Sequence, residues 1–263
     1  MPEPRNGRSV LAVFAHPDDE SLACGGTLAR LADSGWSVVL LCASRGERGS
    51  ISDPGLVPDG DLGRVRTREL EDAAAVLGLA ELVVLDHRDG DLRWVHPGQL
   101  ERDVIAQIER HQPAAVVTFA EDGLYWHLDH IGVHERTTDA LESLGGAAPA
   151  LYYVTIPKGL MRSIVQAVHR NGAAPPDSSL WGIEPDAFGA AAPPAAFAID
   201  VRPWIARKLA ALRCHRTQVG GKNPITWIDD DQARQWLGME YFRRAPIPGI
   251  EGAPLEALGE QCR

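Results

Sequence analysis

Cysteine is scarce in this chain, and the few cysteines are not spaced as metal-binding or redox pairs. The 263 residues include four cysteines, at positions 24, 42, 214 and 262, and none of them forms a C-x-x-C motif. We therefore expect neither a disulfide framework nor a cysteine-bound zinc module. Reduced thiols of this kind are typical of a cytoplasmic protein.

Positive charge and long apolar stretches are also scarce. The sequence has 26 Lys and Arg residues against 36 Asp and Glu residues, which gives a formal net charge of -10. Such a chain is a poor partner for nucleic acid or for an anionic membrane. No apolar stretch approaches the roughly 18 residues that a membrane-spanning helix needs, and the run at residues 9–15 is too short for a signal peptide. We expect a small-molecule partner, with a homo-oligomer left open.

Motifs of three large enzyme classes are missing as well. The turn after the first apolar run lacks G-x-G-x-x-G, and the chain contains neither a G-x-S-x-G elbow nor a P-loop lysine motif. A nucleotide-binding Rossmann site, an α/β-hydrolase serine nucleophile and a P-loop enzyme are therefore disfavoured.

Apolar strand-like runs alternate with helical patterns along most of the chain. The pattern predicts strands at residues 9–15, 36–44, 82–87, 114–120, 151–157 and 196–201, and helices at 20–34, 66–78, 99–111, 130–144 and 204–218. This alternation indicates an α/β fold with a mostly parallel sheet. We expect one domain over residues 1–263, with a core at about 9–220 and a loop-rich C-terminal extension at 221–263 that packs on the core. The long loops at 46–65 and 171–195 should border the cleft.

Two clusters of histidine and acidic residues follow predicted buried strands. The first contains His16, Asp18, Asp19 and Glu20, and the second contains His127, Asp129 and His130. Ligands of parallel sheets bind beyond the carboxyl ends of the strands, so both clusters should meet at one edge. Adjacent carboxylates repel one another, and a bound cation would remove that repulsion. The sequence therefore predicts a metal site.

The residue types favour a catalytic metal over a structural one. Imidazole and carboxylate ligands suit zinc and also ferrous iron, and two histidines with one carboxylate leave positions open for water and substrate. A bound cation lowers the pKa of its water to about 7, and a neighbouring carboxylate could take the proton. His134, four residues after His130, is a rival ligand. Glu20 is expected in the first turn of a helix, where its charge complements the helix dipole.

VFAHPDDES, with GLYWHLDH downstream, resembles the PIG-L/LmbE-like family of metal-dependent N-deacetylases. The likeness continues in RTRELEDAAAVLG, in DGDL and in KLAALRCHRTQ, so it covers residues from about 9 to 220. The resemblance implies a Rossmann-like three-layer α/β fold. It also implies a zinc-dependent hydrolase that removes an N-acetyl group from an amino sugar or its conjugate and releases acetate and a free amine.

The resemblance also assigns roles to single residues. It implies that His16, Asp19 and His130 bind the metal, that Asp18 is the general base, and that Asp129 orients an imidazole. The other implied roles are oxyanion stabilisation or amine protonation by His127, carbonyl polarisation by Tyr125, and contacts to sugar hydroxyls by Arg66, Asp89 and Glu47. His215 and Gln218 match a C-terminal signature without an assigned role.

One departure from the family pattern lies in the second motif. The family usually has Gly-His-Pro-Asp-His, whereas this chain has Trp126 before the first histidine and Leu128 in place of the proline. Trp126 could stack on a substrate ring or pack outward. The change weakens the link to the best-known family substrates.

Three other functions stay open at this stage. An amidase acting on a thiol conjugate or on a secondary-metabolite acyl amine would use the same chemistry in a different pocket. A ferrous-iron oxygenase uses two histidines and a carboxylate, but commonly on β folds. A metal-binding protein without turnover would have no need for Asp18 as a spare base.

Overall fold

The chain folds into an eight-stranded sheet with helices on both faces. The computed structural model describes residues 8–94, 97–172, 179–248, 252 and 254–262. The strands are β1 (Ser9–Phe14), β2 (Ser37–Ser44), β3 (Glu81–His87), β4 (Ala115–Phe119), β5 (Ala150–Thr155), β6 (Phe197–Asp200), β7 (Met239–Arg244) and β8 (Glu260–Gln261). The helices are α1 (Asp19–Asp33), α2 (Leu62–Leu77), α3 (Pro97–His111), α4 (Gly123–Trp126), α5 (Leu128–Leu144), α6 (Leu160–Arg170), α7 (Ile205–Cys214) and α8 (Asp230–Trp236).

The strand order places the predicted site at a reversal of the sheet. The order is β3-β2-β1-β4-β5-β7-β6-β8, and the first five strands pair in parallel. The chain moves outward from β1 to β3 and then returns to the other side of β1 with β4. Such a switch point opens a crevice beyond the carboxyl ends of the two central strands. The α/β class and the mostly parallel sheet are thereby confirmed.

The central strands are apolar on both faces because helices cover both sides of the sheet. Every residue of β1 and of β4 is buried. Val10 on β1 is opposite Val38 on β2 and Ala115 on β4, which fixes the register of the core. Continuous apolar runs are the expected pattern for strands buried in this way.

Several elements differ from the prediction at their ends or were not predicted. Helix α2 begins at Leu62 rather than at residue 66, because the Asp61 carboxylate accepts the Arg64 N–H at 2.9 Å and caps the helix. Helix α7 ends at Cys214, so residues 215–218 lie outside it. Helices α4, α6 and α8 and strands β7 and β8 were not predicted from the sequence. Strand β7 lies between β5 and β6 and is antiparallel to both.

The described residues contain no helix long and apolar enough to cross a bilayer. All four cysteines are free thiols. The loop at 46–65 contains a short 3-10 helix at Pro54–Leu56, and residues 173–178 of the predicted loop at 171–195 lie outside the described part.

Helix α1 is kinked one turn after it begins. Cys24 has φ −149 and ψ 23, which interrupts the helical hydrogen bonds. The Glu240 carboxylate accepts the N–H groups of Gly26 and Thr27 at 2.9 and 2.7 Å, and Lys208 Nζ lies 2.6 Å from the same carboxylate. A buried ion pair thus satisfies the backbone groups that the kink exposes.

We predict that Gly26→Ala destabilises the fold. A Cβ at Gly26 would lie 2.5 Å from the Cβ of Val201, so one of the two segments has to move. Overpacking of this kind costs about 1–3 kcal/mol, and urea unfolding should show a decrease of that size in the free energy of unfolding. Gly25→Ala is the matched control, because the atom nearest to its Cβ, the Glu20 carbonyl oxygen, would lie 3.5 Å away in ordinary van der Waals contact. Equal effects of the two substitutions would contradict this explanation.

Candidate active site

A cleft of about 580 Å³ opens at the switch point. It has a polar lining, which includes Arg48, Ser50, Arg66, Asp89 and, from the two predicted clusters, His16, Asp18, Asp19 and His127. It also has an apolar lining, which consists of Leu22, Trp181, Ile183, Leu212 and Val219. Pockets of this size with a few convergent polar groups are typical of small-molecule sites.

The turn after β1 holds its carboxylates in fixed positions. The His16 N–H donates to Asp19 Oδ2 at 2.8 Å, and the Asp18 N–H donates to Glu20 Oε2 at 3.1 Å. Asp18 has φ 122 and ψ −25, a conformation that is strained for any residue with a side chain. Strain of this kind persists only where the surroundings hold it, and it is frequent in active sites.

The His16 ring is oriented by two carboxylates. Its Nε2 lies 3.0 Å from Asp129 Oδ2 and 3.1 Å from Asp89 Oδ1. Carboxylates accept protons in hydrogen bonds, so Nε2 carries a proton, and Nδ1 offers a lone pair once a metal displaces the proton there. Burial lowers the pKa of His16, but the bonds to Asp129, Asp19 and Asp89 outweigh it and raise the pKa well above its usual value.

The His130 ring is oriented by a carbonyl and a phenyl ring. Its Nδ1 donates to the Gly123 carbonyl at 3.0 Å, so its Nε2 keeps a lone pair. The ring is fully buried and stacks on Phe119, with centroids 4.1 Å apart and planes 3° apart. Gly123 has φ 54, and a Cβ there would lie 2.8 Å from the Cβ of His130.

Two lone pairs and one carboxylate therefore converge. His16 Nδ1 lies 3.3 Å from His130 Nε2, and Asp19 lies 3.6 Å from the first nitrogen and 3.1 Å from the second. Zinc bonds of about 2.0–2.1 Å in tetrahedral geometry separate ligand atoms by roughly 3.3–3.4 Å. Two facing lone pairs repel unless a proton or a metal ion lies between them. The donor set therefore fits a divalent metal, which His16, Asp19 and His130 could hold.

His127 lies close to these atoms but carries its proton on a different nitrogen from His130. Each of His16, His127 and His130 has one ring nitrogen within 4.8 Å of a ring nitrogen of the other two. The Asp129 N–H donates to His127 Nδ1 at 3.2 Å, so the neutral His127 ring carries its proton on Nε2. Burial and the two neighbouring imidazoles lower the pKa of His127 to about 3. His127 is therefore a neutral hydrogen-bond donor that lines the cleft.

A second cluster of possible ligands, His16, Asp89 and Asp129, is occupied by backbone contacts. Asp129 accepts the N–H groups of Gly90 and Leu92 at 2.6 and 3.0 Å, and Asp89 accepts the Arg48 N–H at 2.7 Å. These two carboxylates orient the His16 ring and join the loop after β3 to helix α5. Outer contacts of this kind commonly fix metal-binding imidazoles.

Asp18 is separated from the converging atoms but lines the same cleft. Its Oδ2 lies 3.4 Å from Arg66 Nη2. Burial raises the pKa of Asp18 to about 6, against the opposing effect of the Arg66 guanidinium. Arg66 also donates to the carbonyls of Pro17 at 2.6 Å and Gly46 at 2.8 Å. It therefore holds the strained turn in place and also lines the cleft.

The remaining predicted residues have different surroundings. Tyr125 lines the cleft, and burial with the charges of Asp19 and Asp18 raises the pKa of its hydroxyl well above the usual value. Glu47 accepts the Asp89 N–H at 2.9 Å and so supports a loop. Trp126 is 54% exposed and is not among the described residues that line the cleft.

The rival ligand His134 points away from the converging atoms. Its Nδ1 donates to the Phe119 carbonyl at 2.9 Å, and its ring packs against Tyr153. The loops at 46–65 and 171–195 border the cleft as expected, through Ser50 and through Trp181 and Ile183, whereas the contributions of Leu22, Leu212 and Val219 were not predicted. A contact between Glu20 and His215, which are 195 positions apart, was not predicted either.

Comparisons with known proteins agree with this geometry. The family model described as PIG-L, GlcNAc-PI de-N-acetylase, matches residues 11–141. The 1D-myo-inositol 2-acetamido-2-deoxy-alpha-D-glucopyranoside deacetylase of Thermobispora bispora is 32% identical, over 94% of this chain and 92% of the relative.

The solved structures with a similar fold include enzymes named for different reactions. N,N'-diacetylchitobiose deacetylase from Pyrococcus horikoshii has a TM-score of 0.58 at 20% identity, and the match covers 92% of this chain and 85% of that enzyme's chain. The 4-carboxy-2-hydroxymuconate hydratase GalB from Pseudomonas putida has a TM-score of 0.63 at 20% identity, and the match covers 94% of this chain and 99% of the hydratase chain. These two likenesses concern the fold alone. The similarity to the curated relative, together with the family match, shows that the chain belongs to the PIG-L family of de-N-acetylases.

Proposed function

We propose that this protein is a zinc-dependent hydrolase that removes the N-acetyl group of an amino sugar or amino-sugar conjugate and releases acetate and a free amine. The observation that carries the proposal is the pair of facing lone pairs on His16 and His130, with Asp19 against both. Relatives named as acetamido-sugar deacetylases support the substrate class. The free thiols support a cytoplasmic location.

His16, Asp19 and His130 would hold the metal. A divalent cation held there would supply a Lewis acid for the amide carbonyl and would lower the pKa of a water molecule to about 7. Ferrous iron suits the same donor atoms as zinc. Asp129 and Asp89 keep the lone pair of His16 Nδ1 directed at this position.

The other residues move protons and stabilise charge. Asp18 accepts the proton of the attacking water, since its carboxylate lines the cleft beside the converging atoms. The His127 Nε2–H and the Tyr125 hydroxyl donate hydrogen bonds to the oxyanion that forms when the carbonyl is attacked. The proton then passes to the departing nitrogen, which leaves as the amine.

We predict that Asp18→Asn abolishes most turnover without removing metal. An amide cannot accept the proton from water, and general base catalysis contributes about 10²–10⁴-fold, so kcat for acetate release should fall by that factor. Metal content, measured by mass spectrometry, should stay at the wild-type level. Asp59→Asn, at an exposed carboxylate that pairs with Arg64, should leave kcat unchanged. An Asp18→Asn enzyme with wild-type kcat would contradict the assignment of the base.

We predict that His130→Ala loses the metal whereas His134→Ala retains it. The two residues lie one turn apart on α5, but only His130 directs a lone pair at the converging atoms. Removal of one ligand should weaken metal binding by at least 10-fold, as measured by competition with a chromogenic chelator. Activity of the wild-type chain should disappear with chelation and return with zinc or ferrous iron.

The same experiment separates hydrolysis from oxidation. Acetate release without oxygen consumption agrees with the proposed hydrolase. Oxygen consumption by the iron-loaded protein, with no acetate released from any acyl amine, would favour an oxygenase instead. Full metal occupancy in His130→Ala would show that the metal binds elsewhere.

The apolar lining favours a second candidate, an amidase acting on a thiol conjugate or a secondary-metabolite acyl amine. Sugar hydroxyls gain nothing from Leu22, Trp181, Ile183, Leu212 and Val219, whereas an apolar substituent would bury its surface there. Such a substrate would place its polar part near Arg48 and Ser50 and its apolar part against this lining.

We predict that Ile183→Asn distinguishes the two substrate classes. If the substrate carries an apolar group, KM for an apolar conjugate should rise about 10-fold, in line with the 10–200-fold value of small apolar contacts. KM for N-acetylglucosamine should stay the same. Ile51→Asn is the matched control, because Ile51 is 39% exposed and does not line the cleft among the described residues. If Ile183→Asn leaves KM for the apolar conjugate at the wild-type value, the simple amino sugar remains the favoured substrate.

A further inference from the structure

Glu20 is buried beside the site and holds two different groups. Its side chain has no exposed surface, although it follows Asp19 in the first turn of α1. Oε2 accepts the Asp18 N–H at 3.1 Å, while Oε1 accepts the Ser21 hydroxyl at 2.5 Å and lies 2.9 Å from His215 Nε2. A charge that only complements the helix dipole would remain in solvent, so Glu20 has a more specific role.

His215 touches this carboxylate with one nitrogen. It directly follows α7, and its ring is fully buried. Nε2 donates to Glu20, whereas Nδ1 has no hydrogen-bond partner among the described residues. The described polar contacts of the ring therefore serve to fix the Glu20 carboxylate.

The three residues after His215 hold two other segments of the cleft. The Thr217 N–H and hydroxyl donate to Glu69 at 2.9 and 2.6 Å, and Glu69 lies one turn after Arg66 on α2. The Gln218 amide donates to the Ser50 carbonyl at 2.8 Å. We call residues 215–218 the clamp, because they join the turn at Asp18, helix α2 and the loop after β2.

We propose that Glu20 and His215 are positioning residues for Asp18, and that the clamp exists to hold this carboxylate in its strained conformation. This inference rests on the proposed role of Asp18 as the base. The peptide group before Asp18 is held on both sides, since Arg66 binds the Pro17 carbonyl and Glu20 binds the Asp18 N–H. Without His215, the Glu20 Oε1 would keep only the Ser21 hydroxyl as a partner, and the strained turn could relax.

The chain offers a matched control in a second buried ion pair. Lys208 lies on the same helix α7 and binds Glu240 at 2.6 Å, and both side chains are nearly without exposure. Glu240 also accepts backbone N–H groups of α1, but at Gly26 and Thr27, beyond the kink. Loss of either pair leaves a buried carboxylate unpaired, so both should lower stability. Only loss of the first should disturb Asp18.

The first measurement is hydrogen-deuterium exchange, which does not depend on any activity. His215→Leu should increase exchange in a peptide covering residues 15–23, whereas Lys208→Met should increase it in residues 24–31 and leave 15–23 near the wild-type rate. Increased exchange of both peptides in both variants would show a general loss of stability and would overturn the proposal.

The second measurement is the deacetylase kinetics of the metal-loaded enzyme. His215→Leu should lower kcat by 10–100-fold, the usual size of effects through an outer contact, with KM and metal content within about 3-fold of wild type. Lys208→Met should keep kcat within about 3-fold at a temperature where both variants are folded. His215→Gln, whose amide N–H can still reach Glu20, should recover most of the lost kcat.

A third variant covers the case in which His215→Leu does not fold. Glu20→Gln keeps the shape of the side chain but replaces one acceptor oxygen by an amide NH2 group, so it cannot accept both the Asp18 N–H and the His215 Nε2–H. It should lower kcat in the same direction, and a wild-type kcat would overturn the proposal. If the wild-type enzyme releases no acetate from any acyl amine, the proposed function fails, and the exchange data still decide whether His215 positions the turn.

Discussion

The site depends on two histidines whose protons are held on the far side of each ring. Carboxylates fix the proton of His16 on Nε2, and a carbonyl fixes the proton of His130 on Nδ1. The two remaining lone pairs then face each other across 3.3 Å in a buried environment. Such a pair of lone pairs requires a proton or a metal cation between them, and Asp19 adds the negative charge that favours a divalent cation.

The fold provides the means to hold this arrangement. The switch point brings the turn after β1 and the start of α5 to one crevice, although 110 or more positions separate them in the chain. Buried charge pairs then connect the first two turns of α1 to α7 and β7. Replacing such pairs by packed hydrocarbon often leaves stability unchanged, so we attribute their presence to the exact backbone groups that they hold in place.

The residues that the sequence predicted for the site belong to two short motifs. His16, Asp18 and Asp19 lie within four positions, and so do His127 and His130, so strand order alone brings the two groups together. The parallel strands followed from their continuous apolar runs. Strand β7 did not, because its alternating half-buried pattern is short and lies in a segment rich in turns.

Contacts between distant segments could not be predicted in the same way. Nothing in the local sequence shows that Glu20 meets His215, since that contact depends on how α7 packs against α1. The exposed position of Trp126 could not be predicted either, because the local sequence does not show that the backbone adopts a φ of 68 there. The tautomers also required the structure, because each one is set by an atom from another element.

The fold alone does not determine the reaction, since a hydratase and a deacetylase have similar folds. What limits the chemistry is the protonation of each group that lines the cleft. His127 is neutral with its proton on Nε2, and the Tyr125 hydroxyl keeps its proton because burial raises its pKa. Both line the cleft as donors, and the Asp18 carboxylate lines the same cleft as an acceptor. One acceptor for the proton of water and two donors for an oxyanion are the groups that attack on an amide carbonyl requires.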